Sequence, residues 1–281
     1  DLLADYTVDF SQDAETAKLI AEQGLVELDL AGHVYQASND NSTSIIGNQP
    51  GSQSILSVGD GSLVLGTGAQ GDAELIVGFE AGSFGDFRLA GLAGSETLLD
   101  LHKLQIADRG IGLMSVSYAA TVEVGRVLLG NIIGSNGNLI LSGDGSLLNA
   151  EIEFSVNHGT VEIQSPAELR FDNPDAPMTV FKGGQLIGDG TLKGYLLNRG
   201  YFSPSMTGNS FDLQGDYRNR GLFGVTLGDT QHSRVEVTSF DDWYGEIRLG
   251  GGLIAELDEG FLPEIGREFQ IMEAEDRVRG T

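Results

Sequence analysis

An Asn-Arg-Gly turn that recurs at a fixed distance is the feature that most constrains the fold of this chain. Asn198-Arg199-Gly200, within LLNRGYF, returns as Asn219-Arg220-Gly221, within YRNRGLF, 21 residues later. Three short strands and three turns of a parallel β-helix occupy about 20 residues per rung. In that fold the two asparagines would lie one above the other, within reach of an amide ladder.

A second recurring pattern, Gly-Asp-Gly-[Ser/Thr]-Leu, indicates a similar repeat. It occurs at Gly59–Leu63, Gly143–Leu147 and Gly188–Leu192, 84 and 45 residues apart, which is near four and two copies of a 21- to 22-residue unit. Short apolar or alternating runs such as Thr121–Val124, broken every few residues by Gly, Asn, Asp or Ser, are typical of strands and turns. A Gly-rich β-sandwich also has frequent turns, but it does not require this recurrence. The pattern therefore favours a solenoid.

The sequence thus predicts an all-β chain that forms a single right-handed parallel β-helix with rungs of about 21 residues. About a dozen rungs would make a rod on the order of 55 Å long. The segment Ser11–Gln23 is predicted to differ, because it has N-cap candidates, acids in its first turn and Gly24 as a C-terminal stop. We expect it to form a short N-terminal capping helix, with the extended Asp5–Phe10 pairing alongside.

The predicted boundaries lie within one structural domain. They are residues 1–24 for the N-terminal strand and capping helix, 25–230 for the parallel β-helix and 231–281 for the C-terminal closing strands.

Composition excludes several functional classes. The chain has 16 Lys plus Arg against 41 Asp plus Glu, a formal charge of −25, so it has no broad basic surface for binding nucleic acid. It has no cysteine, which excludes disulfides, thiolate zinc sites and cysteine nucleophiles. The four histidines are never spaced i, i+4, which disfavours a histidine metal site. No apolar run approaches about 18 residues, so no transmembrane segment is predicted.

The charge is also uneven along the chain. Before Arg88 the only basic side chain is Lys18, whereas eight arginines lie between Arg199 and Arg279. Opposite ends of an elongated molecule would then differ in potential. Head-to-tail contact between copies is therefore one expected partnership, and such heterologous contacts build filaments. The charged segment EDRVRGT, from Glu275, would oppose casual stacking at that end.

The stretch Ile187–Asp229 resembles the C-terminal rungs of bacterial autotransporter passenger β-helices and related secreted β-helix proteins. The residues that carry this resemblance form three motifs: Gly188, Gly190, Thr191, Leu192 and Gly194, then Asn198, Gly200, Phe202 and Pro204, then Gly215, Asp216 and Tyr217. Arg234–Ala274 is similar to the family's closing strands, with these residues in the expected order: Phe261, Pro263, Gly266, Phe269 and Ile271.

This resemblance implies an exported β-solenoid at or outside the surface of a Gram-negative-type bacterium. The family's activities range from adhesion and aggregation to hydrolysis. Fold alone therefore does not select one function.

Two groups of residues could support the hypothesis that the protein is an enzyme. They are Asp241 and Asp242 beside Trp243 and Tyr244, and Asp172 and Asp175 with Arg170. β-Helix enzymes that act on polysaccharides use clustered carboxylates with Lys or Arg for calcium binding or acid–base work. A polar loop held by one aromatic residue has the same appearance and is commoner. No catalytic residue is therefore predicted.

Other motifs are better explained by structure. Asp60, Asp144 and Asp189 are expected to cap their turns through their own backbone, because calcium-binding β-rolls need a nine-residue period. The glycine-rich Gly66–Gly71 lacks the Gly-Lys-Ser/Thr ending of a phosphate loop. A hydrolytic triad would need Ser115 or Ser117 with His158 or His232, but no Gly-x-Ser-x-Gly elbow is present.

The functional prediction is a non-enzymatic extracellular structural or adhesive β-solenoid, presented at the bacterial surface or assembled head-to-tail into a fibre or matrix. Its expected partners are copies of itself, or surface polysaccharide or protein, and not nucleic acid. No catalytic, cofactor-binding or metal-binding residue is predicted, with calcium kept as a weak candidate. The alternative is a polysaccharide-active enzyme, either a lyase or a glycoside hydrolase. A third hypothesis is a cation-dependent binding module.

Overall fold

The computed structural model describes residues 5–39, 42–66, 72–91, 95–205, 209–241 and 243–280. Within these segments the chain forms 28 β-strands and no helix. In chain order the strands are β1 (Tyr6–Asp9), β2 (Ala14–Thr16), β3 (Ile20–Ala21), β4 (Gly24–Asp29), β5 (Val34–Ala37), β6 (Thr43–Ile46), β7 (Gln53–Gly59), β8 (Ser62–Leu65), β9 (Glu74–Val77), β10 (Phe84–Ala90), β11 (Thr97–Ile106), β12 (Ile111–Ser117), β13 (Ala120–Leu129), β14 (Asn136–Ser142), β15 (Leu147–Ile163), β16 (Glu168–Phe171), β17 (Met178–Gly188), β18 (Thr191–Lys193), β19 (Leu196–Asn198), β20 (Tyr201–Pro204), β21 (Phe211–Gln214), β22 (Tyr217–Asn219), β23 (Leu222–Leu227), β24 (Val235–Thr238), β25 (Glu246–Leu249), β26 (Gly252–Leu257), β27 (Met272–Ala274) and β28 (Arg277–Gly280).

Every pairing between these strands is parallel, and the pairings form three continuous ladders. Ladder one contains β1, β4, β7, β10, β12, β14, the ends of β15 and β17, β20, β23 and β26. Ladder two contains β2, β5, β8, the starts of β11, β13 and β15, then β16, β18, β21, β24 and β27. Ladder three contains β3, β6, β9, the ends of β11 and β13, the middle of β15, the start of β17, β19, β22, β25 and β28.

This topology is consistent with a β-solenoid in which one strand from each ladder makes up a coil. Each ladder has eleven strands among the described residues. Eleven coils at the usual strand spacing give a stack about 50 Å long.

The predicted repeat of about 21 residues holds only in part of the chain. Asn198 pairs with Asn219 at a spacing of 21. Elsewhere the distance between partners varies from 16 residues, between Leu186 and Phe202, to 37, between Val235 and Met272. The turns absorb these differences while the strands stay paired.

The core is a set of apolar columns that run along the stack. Inward positions alternate with outward ones along each strand, so each ladder buries every second side chain. One column of ladder one, buried throughout, consists of Val26, Leu56, Phe87, Met114, Leu139, Val161, Leu186, Phe202 and Phe223. Near the C-terminal end, aromatic rings fill the core, and the ring centroids of Phe202 and Phe211 are 5.0 Å apart.

The Asn-Arg-Gly turns stack as the sequence predicts. Both asparagines are buried, and the Asn198 side-chain amide donates to the Oδ1 atom of Asn219 at 2.8 Å and to the carbonyl of Leu222 at 2.9 Å. The Asn198 Oδ1 atom accepts from the backbone N–H of Gly200, and Asn219 donates to the carbonyl of Gly250. The amides therefore satisfy backbone groups where the chain leaves ladder three.

The predicted capping helix is wrong. Ser11–Gln23 instead forms β2 and β3, the second and third strands of the first coil. Its backbone pairs with the next coil, as in Ala14 with Tyr35, and Asp13 accepts a hydrogen bond from the N–H of Val34. A helix this short is marginal alone, whereas a preformed strand edge supplies partners for the same backbone groups. The expected pairing of the extended first segment is confirmed, because β1 pairs with β4.

The three Gly-Asp-Gly turns lie at the same corner, between ladders one and two, but they are not all in register. Leu63 and Leu192 occupy one inward column, which passes through Leu148 and not through Leu147. The middle copy is therefore shifted by one residue. The Asp189 carboxylate accepts from the N–H of Ser165, in the corresponding turn of the preceding coil, a bond the prediction did not include.

We expect Asn198→Ala to lower the free energy of unfolding by about 2–4 kcal/mol, because it leaves buried partners on Asn219, Leu222 and Gly200 without a hydrogen bond. Chemical denaturation would measure the loss. Asn136→Ala, at an exposed position of β14, is the matched control and should change stability by less than about 0.5 kcal/mol. Equal effects of the two substitutions would show that the amide ladder does not stabilise the stack.

Candidate functional site

Outward side chains of ladder two form a polar column over six successive coils. The column consists of Asp100, Glu123, Asn149, Arg170, Lys193 and Gln214, each paired in register with the next. Neighbouring members are separated by the strand spacing of about 4.8 Å. We call this set the polar column. Its charge changes from acidic to basic along the stack.

The acidic end of the polar column centres on Glu123. Its Oε2 atom accepts a hydrogen bond from the Asn149 side-chain amide at 2.8 Å. Partial burial raises the pKa of Glu123, and the negative charges of Glu151 and Asp100 add to that effect, while the Asn149 hydrogen bond and Arg170 oppose it. Glu123 is therefore a carboxyl group that holds its proton to a higher pH than an ordinary glutamate.

The basic end carries two cations held by acids of the same ladder. Arg170 donates through Nε to Asp172 at 2.7 Å, and Lys193 Nζ lies 2.8 Å from Glu168. The hydrogen bond to Asp172 is the largest cause of a raised pKa for Arg170. Both cations lie against the ring of Phe240, at 5.5 Å for the Arg170 Cζ atom and 5.8 Å for the Lys193 Nζ atom.

A short turn positions an aromatic pair over this basic end. Phe240 and Trp243 exchange two backbone hydrogen bonds, and Asp241 between them has a positive φ of 48°. This tight turn brings the two rings into a parallel stack with a centroid distance of 6.2 Å and an interplanar angle of 10°. Cation–π contacts then hold the pair on ladder two.

The structure thus joins the two groups of residues that the sequence singled out. Arg170 and Asp172 lie on ladder two, and Phe240 links them to the turn that carries Asp241 and Trp243. Tyr244 follows as an exposed ring, and Asp242 lies outside the described residues. Asp175 is exposed, and its N–H donates to Asn173 in a turn beyond β16.

Sequence reasoning missed five of the six members of the polar column: Asp100, Glu123, Asn149, Lys193 and Gln214. The distances between successive members of the polar column are 23, 26, 21, 23 and 21 residues, so a constant period of 21 does not align them. Phe240 was missed because an isolated phenylalanine next to two acidic residues is typical of a turn. Aligning the strands on their buried leucine or valine could have found the polar column, because each member is the outward residue that directly follows it.

The other candidate residues are not brought into this site. Ser115 and Ser117 point outward on β12, in ladder one. His232 contacts the Gln270 carbonyl and the Phe269 ring. It lies five coils beyond these two serines, which is roughly 24 Å along the stack. Of the glycine-rich segment Gly66–Gly71, residues 67–71 lie outside the described residues.

Three comparisons with known proteins found no match for the chain, whether among family models, curated proteins or solved structures. Within the described segments, no three His, Asp or Glu side chains are grouped so that they could hold a metal ion. Those segments also contain no helix with the length and apolar character that crossing a membrane requires.

The pKa of Glu123 gives a prediction about stability and pH. The folded chain holds this proton more tightly than the unfolded chain, so stability contributed by Glu123 falls as pH rises above the ordinary value of 4.5. We therefore expect the difference in unfolding free energy between Glu123→Gln and the unmodified protein to shift in favour of the variant as the pH rises from 4 to 7. Denaturation midpoints at the two pH values would measure this change.

The matched control is Glu15→Gln, at an exposed position of the same outward column in the first coil. It should show no such pH-dependent gain. A Glu123→Gln difference that stays constant between pH 4 and pH 7 would contradict the raised pKa.

Proposed function

We propose that this chain is a right-handed parallel β-helix that acts outside a bacterial cell as a non-enzymatic adhesive rod. The observation that carries the proposal is the set of three unbroken parallel ladders, which holds outward side chains at fixed intervals on a stiff support. The likeness of Ile187–Asp229 to autotransporter passenger rungs supports export to the surface of a Gram-negative-type bacterium. Weak contacts repeated along such a rod add through multivalency.

The polar column and its aromatic pair are the part of the rod best suited to hold a partner. Amide, carboxylate and cationic groups are presented along about 24 Å, the length of five strand spacings. The Phe240–Trp243 pair adds an apolar surface at the basic end. Hydroxyl-rich polymers such as surface polysaccharides offer donors, acceptors and apolar ring faces at comparable intervals. They are the partner class we assign to this face.

Self-assembly is the other predicted partnership, and the register of the ladders bears on it. Suppose that a second copy continued all three ladders, with its inward columns in line with those of the first copy. In that register, Glu256 of one copy would lie next to Asp9 of the other in ladder one. Ladder two would place Glu275 on Glu15. Like charges directly opposite one another destabilise a strand pair. The same continuation also stacks Glu273 on Asp13, and Arg277 on Lys18 in ladder three. We therefore favour a rod that works as a single copy over a fibre.

This register argument predicts that purified protein stays as single rods near neutral pH. Glu256→Lys together with Glu273→Lys should promote end-to-end association, because two repulsive pairs become attractive. Negative-stain electron microscopy and light scattering would detect the longer particles. Glu96→Lys with Glu162→Lys, which changes the net charge equally in middle coils that lie at neither end of the stack, is the control. Uniform fibres of the unmodified protein at neutral pH would contradict the argument.

The adhesive function predicts that the rod binds immobilised polysaccharide without shortening it. Phe240→Ala should weaken that binding several-fold, because it removes both the stacked ring and the contact that holds Arg170 and Lys193. A panel of immobilised neutral and anionic polysaccharides provides the measurement. Tyr118→Asn is the matched control, since it removes an exposed ring at a positive φ that asparagine tolerates. Failure of the unmodified protein to bind any member of the panel would overturn the adhesive function.

One observation favours the second candidate, a polysaccharide-active enzyme. Glu123, with its raised pKa, lies beside Asp100 on the adjacent coil, and two neighbouring carboxyl groups are the pair that glycoside hydrolysis uses. In that reaction Glu123 would protonate the leaving oxygen. New reducing ends from a polysaccharide, lost in Glu123→Gln and retained in Glu15→Gln, would establish this function in place of the adhesive one.

A further inference from the structure

The last coils carry a row of arginines on an otherwise acidic molecule. Arg218, Arg248 and Arg279 occupy successive outward positions of ladder three, one strand spacing apart. Arg199 and Arg220 lie beside them in the two stacked Asn-Arg-Gly turns. In the first coils the corresponding outward positions are apolar: Ile20, Ile45 and Ile76. The basic character of this outward column is therefore confined to the C-terminal coils.

These arginines line a cleft. Arg218, Arg220, Arg248 and Arg279 surround a cavity of about 280 Å³, together with backbone of the turn at Gly250. A second cavity of about 150 Å³ shares Arg218 and Arg248. We call the four arginines and this space the arginine cleft.

Two of the four arginines in the arginine cleft have no acidic partner. Elsewhere in the described chain an acid pairs with Arg88, Arg109, Arg170, Arg234 and Arg267, but not with Arg126 or Arg199. Within the same described segments, no carboxylate lies within ion-pair distance of Arg218 or Arg220. These two guanidinium groups are available to a ligand.

A single buried carboxylate organises the remaining arginines. Glu246, 7% exposed, contacts Arg248 at 2.9 Å, Arg279 at 2.7 Å and Arg277 at 3.2 Å. The hydrogen bond from Arg248 is the largest cause of the lowered pKa of Glu246. Glu246 thus contacts three arginines, Arg277 also lies 3.2 Å from Asp276, and the four arginines of the cleft keep a net positive charge.

We propose that the arginine cleft binds the carboxylate or sulfate groups of a linear anionic polysaccharide. Guanidinium groups recognise both kinds of oxyanion through paired N–H donors. Their spacing of about 4.8 Å along the rod suits a polymer that carries anionic groups at intervals, more than a single small anion. The proposal names a ligand class for the adhesive rod and therefore rests on that function.

Two other polyanionic partners fit less well. A stacked second copy would place Ile20 on Arg279 and Lys18 on Arg277, so the acidic N-terminal end does not reach these arginines in register. Nucleic acid would need exposed rings for its bases. Of the rings that line the cavities here, Phe223 and Tyr217 belong to the buried core, and Tyr195 is a single, partly exposed ring, not a row on which successive bases could stack.

The test is binding of the full chain to immobilised polygalacturonate, dextran sulfate, unmodified dextran and poly(dT) at low and moderate salt. We expect binding to one or both anionic polysaccharides that weakens with salt. The carboxylated and sulfated arms identify which oxyanion is preferred. Arg218→Gln and, separately, Arg220→Gln should each reduce that affinity by about tenfold. Arg126→Gln, an exposed arginine of ladder three in a distant coil, is the matched control and should leave affinity unchanged.

Several outcomes would overturn the proposal. They are an absence of binding to both anionic polysaccharides, a loss in Arg126→Gln equal to that in the cleft variants, or tighter binding to poly(dT) than to either anionic polysaccharide. Thermal unfolding of each variant checks that the fold is intact. If polysaccharide binding persists in the cleft variants but is lost in Phe240→Ala, the adhesive function stands and the arginine cleft is not its site.

Discussion

The parallel backbone hydrogen bonds between successive coils are the interaction on which the rest of this structure depends. They link all 28 strands into three ladders, and they determine which residues lie above one another. Because strand pairing fixes the in-and-out alternation, the apolar columns of the core and the polar columns of the surface follow from the same register. The turns between strands can vary in length without disturbing either set. A spacing of 36 residues between Leu63 and Leu99 is compatible with the same column as a spacing of 21.

The sequence reveals much of the fold because certain residues have few alternatives. Asn198 and Asn219 identify neighbouring coils, since an amide ladder at a corner needs the same residue at the same place. Gly188 is similar, because its φ of 128° and the backbone of Ile163 next to it leave no room for a side chain. Ser11–Gln23 misleads because helix signals are local. The adjacent coil, which local signals do not include, offers the backbone a better set of partners.

The candidate sites could not be predicted from spacing for a related reason. Asp100, Glu123 and Arg170 become neighbours only when the length of each intervening turn is known. Arg218 and Arg248 are 30 residues apart in the chain and one strand apart in space. The composition does predict that cations are scarce and late in the chain. It does not predict that Glu246 gathers three of them, because that contact depends on the last two strands of ladder three.

The buried pair of Asn198 and Asn219 has a consequence for how faithfully the stack can assemble. A slip of one residue between coils would expose the core face, so apolar alternation alone already prevents it. A slip of two residues keeps apolar side chains inward, and alternation does not oppose it. In ladder three such a slip would set Asn198 against Tyr217, which leaves the amide without its partner in the core. The asparagines thus discriminate between registers that the apolar residues treat as equivalent.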